Sequence, residues 1–219
     1  MEILVPILSA AIRSGTPILY ATLGEILTEK AGILNLGLEG LMLLGAFSGF
    51  SVTMMTGNPW LGLVAAVAAG MAVSAIHAFL CVTMGANQVV SGLAITMFGT
   101  GLSALLGKAY VGETIKGIGP LPVPLLSRIP VVGPVLFNHD PLVYASYFLV
   151  GFLCWFIVST RWGLTLRAVG ENPRAVDSAG LSVPGLRYAY TMVGGGLAAL
   201  GGAYLSVVYT QMWVEMMTA

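Results

Sequence analysis

The tightest constraint on this chain is a succession of long apolar blocks. Runs at about 3–27, 32–55, 59–84, 86–111, 141–159 and 188–210 each carry few charges. Each is long enough to cross a hydrocarbon layer of about 30 Å, which takes roughly 20 helical residues. Hydrocarbon offers no water to backbone N–H and C=O groups, so a spanning segment must satisfy them internally. The alternating pattern of barrel strands is absent, which leaves helices. Only 8% of the residues are charged and 57% are hydrophobic, against about 25% charged in soluble domains. The expected fold class is all-α: a polytopic membrane protein of about six transmembrane helices, one transmembrane domain over 1–219.

Formal charges cancel at nine basic and nine acidic residues, so no basic surface points to nucleic acid. Cys81 and Cys154 lie in separate apolar blocks without CxxC spacing and read as buried free thiols. The opening MEILVPILSAAIRSGTPILYATLGEIL lacks a basic leader and a small-residue cleavage site. It reads as a first span, interrupted near Arg13-Ser14-Gly15.

Most connections are short, including Gly57-Asn58-Pro59 and Gly85-Ala86-Asn87; the exceptions are 112–140 and 160–187. The first is rich in proline and glycine yet apolar, and should lie along the membrane surface or over a pore mouth. The second carries Arg161, Arg167, Arg174 and Arg187, which makes it the cytoplasmic candidate when basic residues are counted. Parity then puts 112–140 and the N-terminus outside, and Glu29-Lys30 inside. Small residues repeat every four positions at Gly62, Ala66, Gly70, Ser74 and Ala78, and again at Gly194, Ala198, Gly202 and Ser206. Such stripes let helix backbones approach closely in lipid and imply a compact bundle.

Within the second long loop, residues 170–187 read GENPRAVDSAGLSVPGLR. Asn172 suits an N-cap, Pro173 suits the first helical position, and Gly180 can take the left-handed conformation that ends a helix. About two turns lie between them: Ala175, Val176 and Ala179 gather apolar surface while Arg174 and Asp177 point elsewhere. So short a helix does not persist alone, so its own bundle or another protein must pack against it. A second start signal follows at Ser182-Val183-Pro184.

The run TRWGLTLRAVGENPRAVDSAGLSVPGLR resembles the cytoplasmic coupling loop of permease subunits in the ribose/branched-chain-amino-acid superfamily of ABC importers. EILTEKAGILNLGLEGLMLLGAF is similar to the N-terminal signature of its nucleoside and simple-sugar branch. ANQVVSGLAITMF at 86–98 and GGLAALGGAYLSV at 195–207 resemble two further recurrent segments, in order along the chain. The resemblance implies a type II importer permease: packed helices, a translocation path between two permease subunits, and an ATPase subunit below each. Gly170, Glu171, Asn172, Pro173, Arg174, Ala175, Val176, Asp177, Ser178, Ala179 and Gly180 would form the coupling helix in the ATPase groove. Partners would be the ABC ATPase subunit, which binds ATP and magnesium, a second permease subunit, an extracytoplasmic solute-binding protein and the bilayer of a bacterial inner membrane. Members of the family continue past a segment like VEMMTA with further spans, so a chain stopping at Ala219 is expected to be a C-terminally short member.

Polar groups at membrane depth are costly and mark candidate pathways. Asn35 and Glu39 lie four apart in AGILNLGLEGLM, on one face of the expected second helix, beside Gly32, Gly37 and Gly40. They are read either as lining a solute pathway, as in the broken helices of transporters, or as structural groups between helices. Asn87, Gln88 and Ser91 open the fourth span, where they can line its mouth or cap the helix. His77, alone beside the Ser74 stripe, reads as a packing residue. GLSALLGK at 101–108 is no phosphate loop: five residues separate its glycines, and Ala109 stands where a magnesium-binding hydroxyl belongs. No catalytic set, metal-ligand spacing or cofactor motif is present. The expected function is the permease of an ATP-driven importer for a small polar solute, nucleosides first and simple sugars second; the alternative is a secondary transporter or channel.

Overall fold

The computed structural model describes residues 4–122 and 132–218. Six of its helices are long and apolar enough to span a membrane. They are α1 (Leu4–Lys30), α2 (Leu38–Thr56), α3 (Pro59–Ala78, extended by a wider π turn over Phe79–Thr83), α4 (Gln88–Gly107), α6 (Pro141–Ser159) and α9 (Val183–Ala203, extended likewise over Tyr204–Tyr209). Among the described residues there are three shorter α-helices, α5 (Val132–Leu136), α7 (Arg161–Glu171) and α8 (Pro173–Ser178), and a 3-10 turn over Lys108–Tyr110. Among the described residues no strand forms beyond one isolated bridge between Thr114 and Met212.

α9 is the axis of the bundle and packs against α1, α2 and α3; α4 lies on the far side of α2, and α6 runs beside α1 and α7. Small residues make this possible. A methyl group at Gly45 would overlap the carbonyl oxygen of Ala199, and one at Gly70 would overlap the Ala199 side chain. The stripes foreseen on α3 and α9 are buried over their whole length, so backbone meets backbone where lipid supplies no hydrophobic drive. Serine and threonine hydroxyls return to carbonyls of the preceding turn, as in Ser48 to Leu44 O at 2.7 Å and Thr53 to Gly49 O at 2.7 Å.

Four expectations need correction. The first span is continuous through Arg13-Ser14-Gly15: Ser14 Oγ donates to Ala10 O at 2.9 Å, so its polarity is absorbed within the helix. The second helix starts at Leu38, because Ala31–Gly37 form a break, with Gly32 at φ +79°. The sixth begins five residues before 188, at Val183, where Ser182 Oγ accepts from Gly185 N at 3.2 Å. Cys154 is a free thiol on the exposed side of α6, whereas Cys81 is buried.

The two ends of the bundle gather different segments. At one end the break meets the start of α4 and the 160–187 segment, since Gln88 and Arg187 both bond to it. At the other, Ile115 N donates to Gln211 O at 3.0 Å and Leu121 N to His139 O at 2.8 Å. Ile115 and Ile118 pack on the core there, so the described part of 112–140 covers the end of the bundle; residues 123–131 of that loop lie outside the described residues. This is the grouping that parity requires.

Candidate functional site

The 160–187 segment is more structured than its charges suggest. Thr160 Oγ1 accepts from Gly163 N at 2.9 Å and starts α7. Gly163, Leu166 and Val169 recur every three residues and are buried, while Trp162 and Leu164 on the opposite side are exposed. Gly163 sits directly on the backbone of Phe156 and Ile157, at the end of α6, and Tyr190 OH donates to Trp162 O at 3.2 Å from α9. α7 is thus an amphipathic shelf clamped between two spans.

α8 stands on that shelf. Asn172 Oδ1 accepts from Ala175 N at 3.2 Å, capping its start, with Pro173 in the first turn. Gly180, at φ +78°, donates to Asp177 O at 2.9 Å, and Leu181 N donates to Val176 O at 3.2 Å. This paired pattern is a Schellman ending. Val176 alone is buried; Glu171, Asn172, Arg174, Ala175, Asp177, Ser178, Ala179 and Gly180 are exposed, and Gly170 and Pro173 half-buried. Ala175 and Ala179 border a shallow apolar hollow of about 200 Å³ with Leu164, Ala168 and Leu181. The helix therefore packs on its own bundle through one side chain and leaves a small apolar face, flanked by Arg174 and Asp177, exposed.

Directly above lies the break between α1 and α2. Its backbone groups have lost their helical partners and are held by side chains from four helices. From α1, Glu25 Oε1 accepts from Asn35 N at 3.0 Å while Oε2 accepts from Thr28 Oγ1 at 3.1 Å. From α4, Gln88 Oε1 accepts from Leu34 N at 2.8 Å and Gln88 Nε2 donates to Gly32 O at 3.4 Å. From α3, His77 Nε2 lies 3.2 Å from Leu34 O, and Nδ1 lies 2.9 Å from Ser91 Oγ. A carbonyl only accepts, so Nε2 carries the hydrogen; in the neutral ring Nδ1 accepts from Ser91. From α9, Arg187 Nε donates to Ala31 O at 3.2 Å.

The loop and the break touch. Gly170, the residue before Glu171 and α8, lies against the carbonyl of Lys30, and a methyl placed on Gly32 would stand 3.3 Å from Gly170 Cα. α7, which leads directly into α8, is thereby in backbone contact with the break at Ala31–Gly37.

Residues singled out from the sequence distribute unevenly over this arrangement. Asn35 and Glu39 do not share a helical face, which corrects the earlier reading: Asn35 precedes α2 and is buried, whereas Glu39 is exposed on its first turn. The negative charge of Glu39 there complements the helix dipole. Asn35 Oδ1 accepts from Gly37 N at 2.9 Å, leaving Nδ2 without a partner among the described residues. Asn87 caps α4 through Val89 N and Val90 N at 3.0 and 3.2 Å, while Gln88 bonds to the break directly and Ser91 reaches it only through His77. His77 is the hydrogen-bonded packing residue expected of it, fully buried. Sequence reasoning missed α7, whose signal was Thr160 ahead of a three-residue apolar period, and the bracing roles of Glu25 and Arg187, for which no local signal exists.

Six apolar spans around a small-residue axis define a multi-pass helical membrane protein. Over residues 7–219 the chain matches the family of branched-chain amino acid transport system permease components, and it belongs to that family. A putative glucose ABC transporter permease protein of Haloferax volcanii is 42% identical over 216 residues, covering 97% of this chain and 66% of the relative. The guanosine ABC transporter permease protein of Bacillus subtilis is 36% identical, covering 95% of this chain and 69% of its own length. A nucleoside ABC transporter permease protein of Lactococcus lactis is 35% identical, covering 86% and 63%. The chain thus spans about two thirds of the length of these relatives. No solved structure gives a significant match.

Proposed function

We propose that this chain is the transmembrane permease of an ATP-driven importer, with α8 as the helix that docks in a partner ATPase. The observation that carries the reading is α8 itself, capped at both ends, exposed, and joined through Gly170 to the break between α1 and α2. ATP and magnesium would act in the ATPase, whose closure would push on α8 and, through Gly170, on the break. A second permease subunit, an extracytoplasmic solute-binding protein and a bacterial plasma membrane complete the assembly. Relatives named for guanosine, nucleosides and glucose support a neutral polar solute, with nucleosides first and simple sugars second. A carrier or channel has no use for an exposed, doubly capped helix.

The test is Arg174→Glu combined with Ala175→Asp, which places negative charge on the open face of α8 and leaves Val176 in place. The expected outcome is loss of ATPase co-purification and of solute uptake with the thermal midpoint of the bundle unchanged. Association and uptake equal to the parent chain would overturn the docking role.

A further inference from the structure

At the end of the bundle opposite α8 lies a cavity of about 280 Å³ lined by Ser9, Arg13, Asn138, His139, Asp140 and Gln211, beside Ile118 and Pro120. We infer that it is a recognition site for a neutral polyhydroxylated ring: the ribose of a nucleoside or a free monosaccharide. The inference rests on the importer reading for the direction of travel, since this end would then face the solute supply, but not for binding itself.

The volume corresponds to roughly nine liquid-water volumes, below the 300 Å³ or so at which drug-sized pockets begin. One sugar ring suits it. The lining mixes a pure donor, Arg13, and a pure acceptor, Asp140, with groups that do both: the hydroxyl of Ser9 and the amides of Asn138 and Gln211. A hydroxyl also donates and accepts, so a polyol can satisfy both charged walls at once. A solute with a single charge meets one wall of its own sign.

Two nitrogens here have no hydrogen-bond partner among the described residues: Arg13 Nε and His139 Nδ1. His139 is 1% exposed and its Nε2 lies 2.7 Å from Val135 O. That carbonyl requires the hydrogen on Nε2, which makes Nδ1 an acceptor in the neutral ring. A buried donor and a buried acceptor both lack partners, and such groups are normally satisfied. Asp140 is already fixed in place. Its Oδ1 accepts from Leu142 N at 3.1 Å and Val143 N at 3.2 Å, while Oδ2 accepts from Tyr204 OH at 3.1 Å. The Arg13 guanidinium carbon stands 5.6 Å from the Tyr209 ring centroid. The Asp140 carboxylate is thus held by the protein and need not be ordered at the moment of binding.

The test is saturation-transfer NMR on the purified full chain in nanodiscs, with ribose, glucose, guanosine and guanine as probes, and gluconate and glucosamine as charged comparisons. Saturable binding of at least one polyol is expected, weakened about tenfold by Asn138→Ala, by Ser9→Ala and by Asp140→Asn, as for the loss of one good hydrogen bond. Asn138 is exposed and Ser9 half-buried, so these two carry the test if Asp140→Asn, which replaces the oxygen facing Tyr204 OH with an amide nitrogen, folds poorly. Guanosine without glucose identifies a nucleoside ribose; glucose without guanosine identifies a free sugar. The inference is overturned if no polyol binds saturably or if guanine binds as well as guanosine. It is equally overturned if the charged comparisons bind as well as glucose, or if affinity survives both Ser9→Ala and Asn138→Ala. Loss of ATPase association with polyol binding intact would count against the importer reading alone.

Discussion

His77 and Gln88 supply the break at residues 31–37 with the hydrogen bonds that a helix would otherwise have given it. Both ring nitrogens of His77 are engaged in a fully buried site. His77→Ala would strand Leu34 O and the Ser91 hydroxyl, at a cost of about 1–3 kcal/mol per unsatisfied group. The expected outcome is a lower thermal midpoint, read by thiol-dye labelling of Cys81 in a Cys154→Ser background, because Cys81 is buried beside His77 and opens only on unfolding. A second test concerns packing. Gly45→Ala pushes a methyl into the Ala199 carbonyl, and overpacking of this kind costs about 1–3 kcal/mol; the same assay should show it, while Gly101→Ala, with open space around it, should leave the midpoint in place. Single residues were legible in the sequence where their partners are local. Asn87, Asn172 and Ser182 are caps as read, because a cap bonds within three residues. Asn35 was misplaced for the converse reason. AGILNLG is apolar enough to pass for the start of a span, and the groups that hold it open come from Gln88, 54 positions away, and from His77, 43 away.

Elements were legible in proportion to their length. The long apolar helices announced themselves, and their small-residue faces told which side would be buried. α7 was harder to see, because an eleven-residue amphipathic helix in an arginine-rich loop resembles plain solvated chain until its buried Gly163, Leu166 and Val169 are noticed. α8 was visible through punctuation alone. Its short length makes the caps matter more than in a span, since two turns have few other hydrogen bonds to rely on. Asn172→Ala removes the bond to Ala175 N and should weaken the element by about 1 kcal/mol. We expect faster amide exchange across residues 174–179, measured by mass spectrometry, with exchange in α9 unaltered. Under the proposed docking role, the same change should lower ATPase-coupled uptake more than it lowers ATPase association.

For the whole molecule, the sorting of segments to two ends makes a topology that can be checked directly. Ala179→Cys and Asn138→Cys, each in a chain lacking Cys81 and Cys154, place single thiols on exposed residues at opposite ends. A membrane-impermeant maleimide applied to intact cells should label the cysteine at 138 and spare that at 179 until the cells are opened. The reverse pattern would invert the orientation taken from the arginines. Parity was enough to read this grouping of segments from the sequence. The contact between α7 and the break was not, because it depends on which glycines face each other across separate elements.

That facing pair bears on how a push would travel. Where side chains separate two elements, a displacement can be taken up by rotamer changes, like slack in a gear train. Gly170 meets the Lys30 carbonyl and Gly32 with no side chain between them, so the joint has almost no lost motion. Gly170→Val would drive a side chain into the Lys30 carbonyl and wedge the loop away from the break, so a push starting at α8 would reach α1 and α2 only after that gap had been taken up.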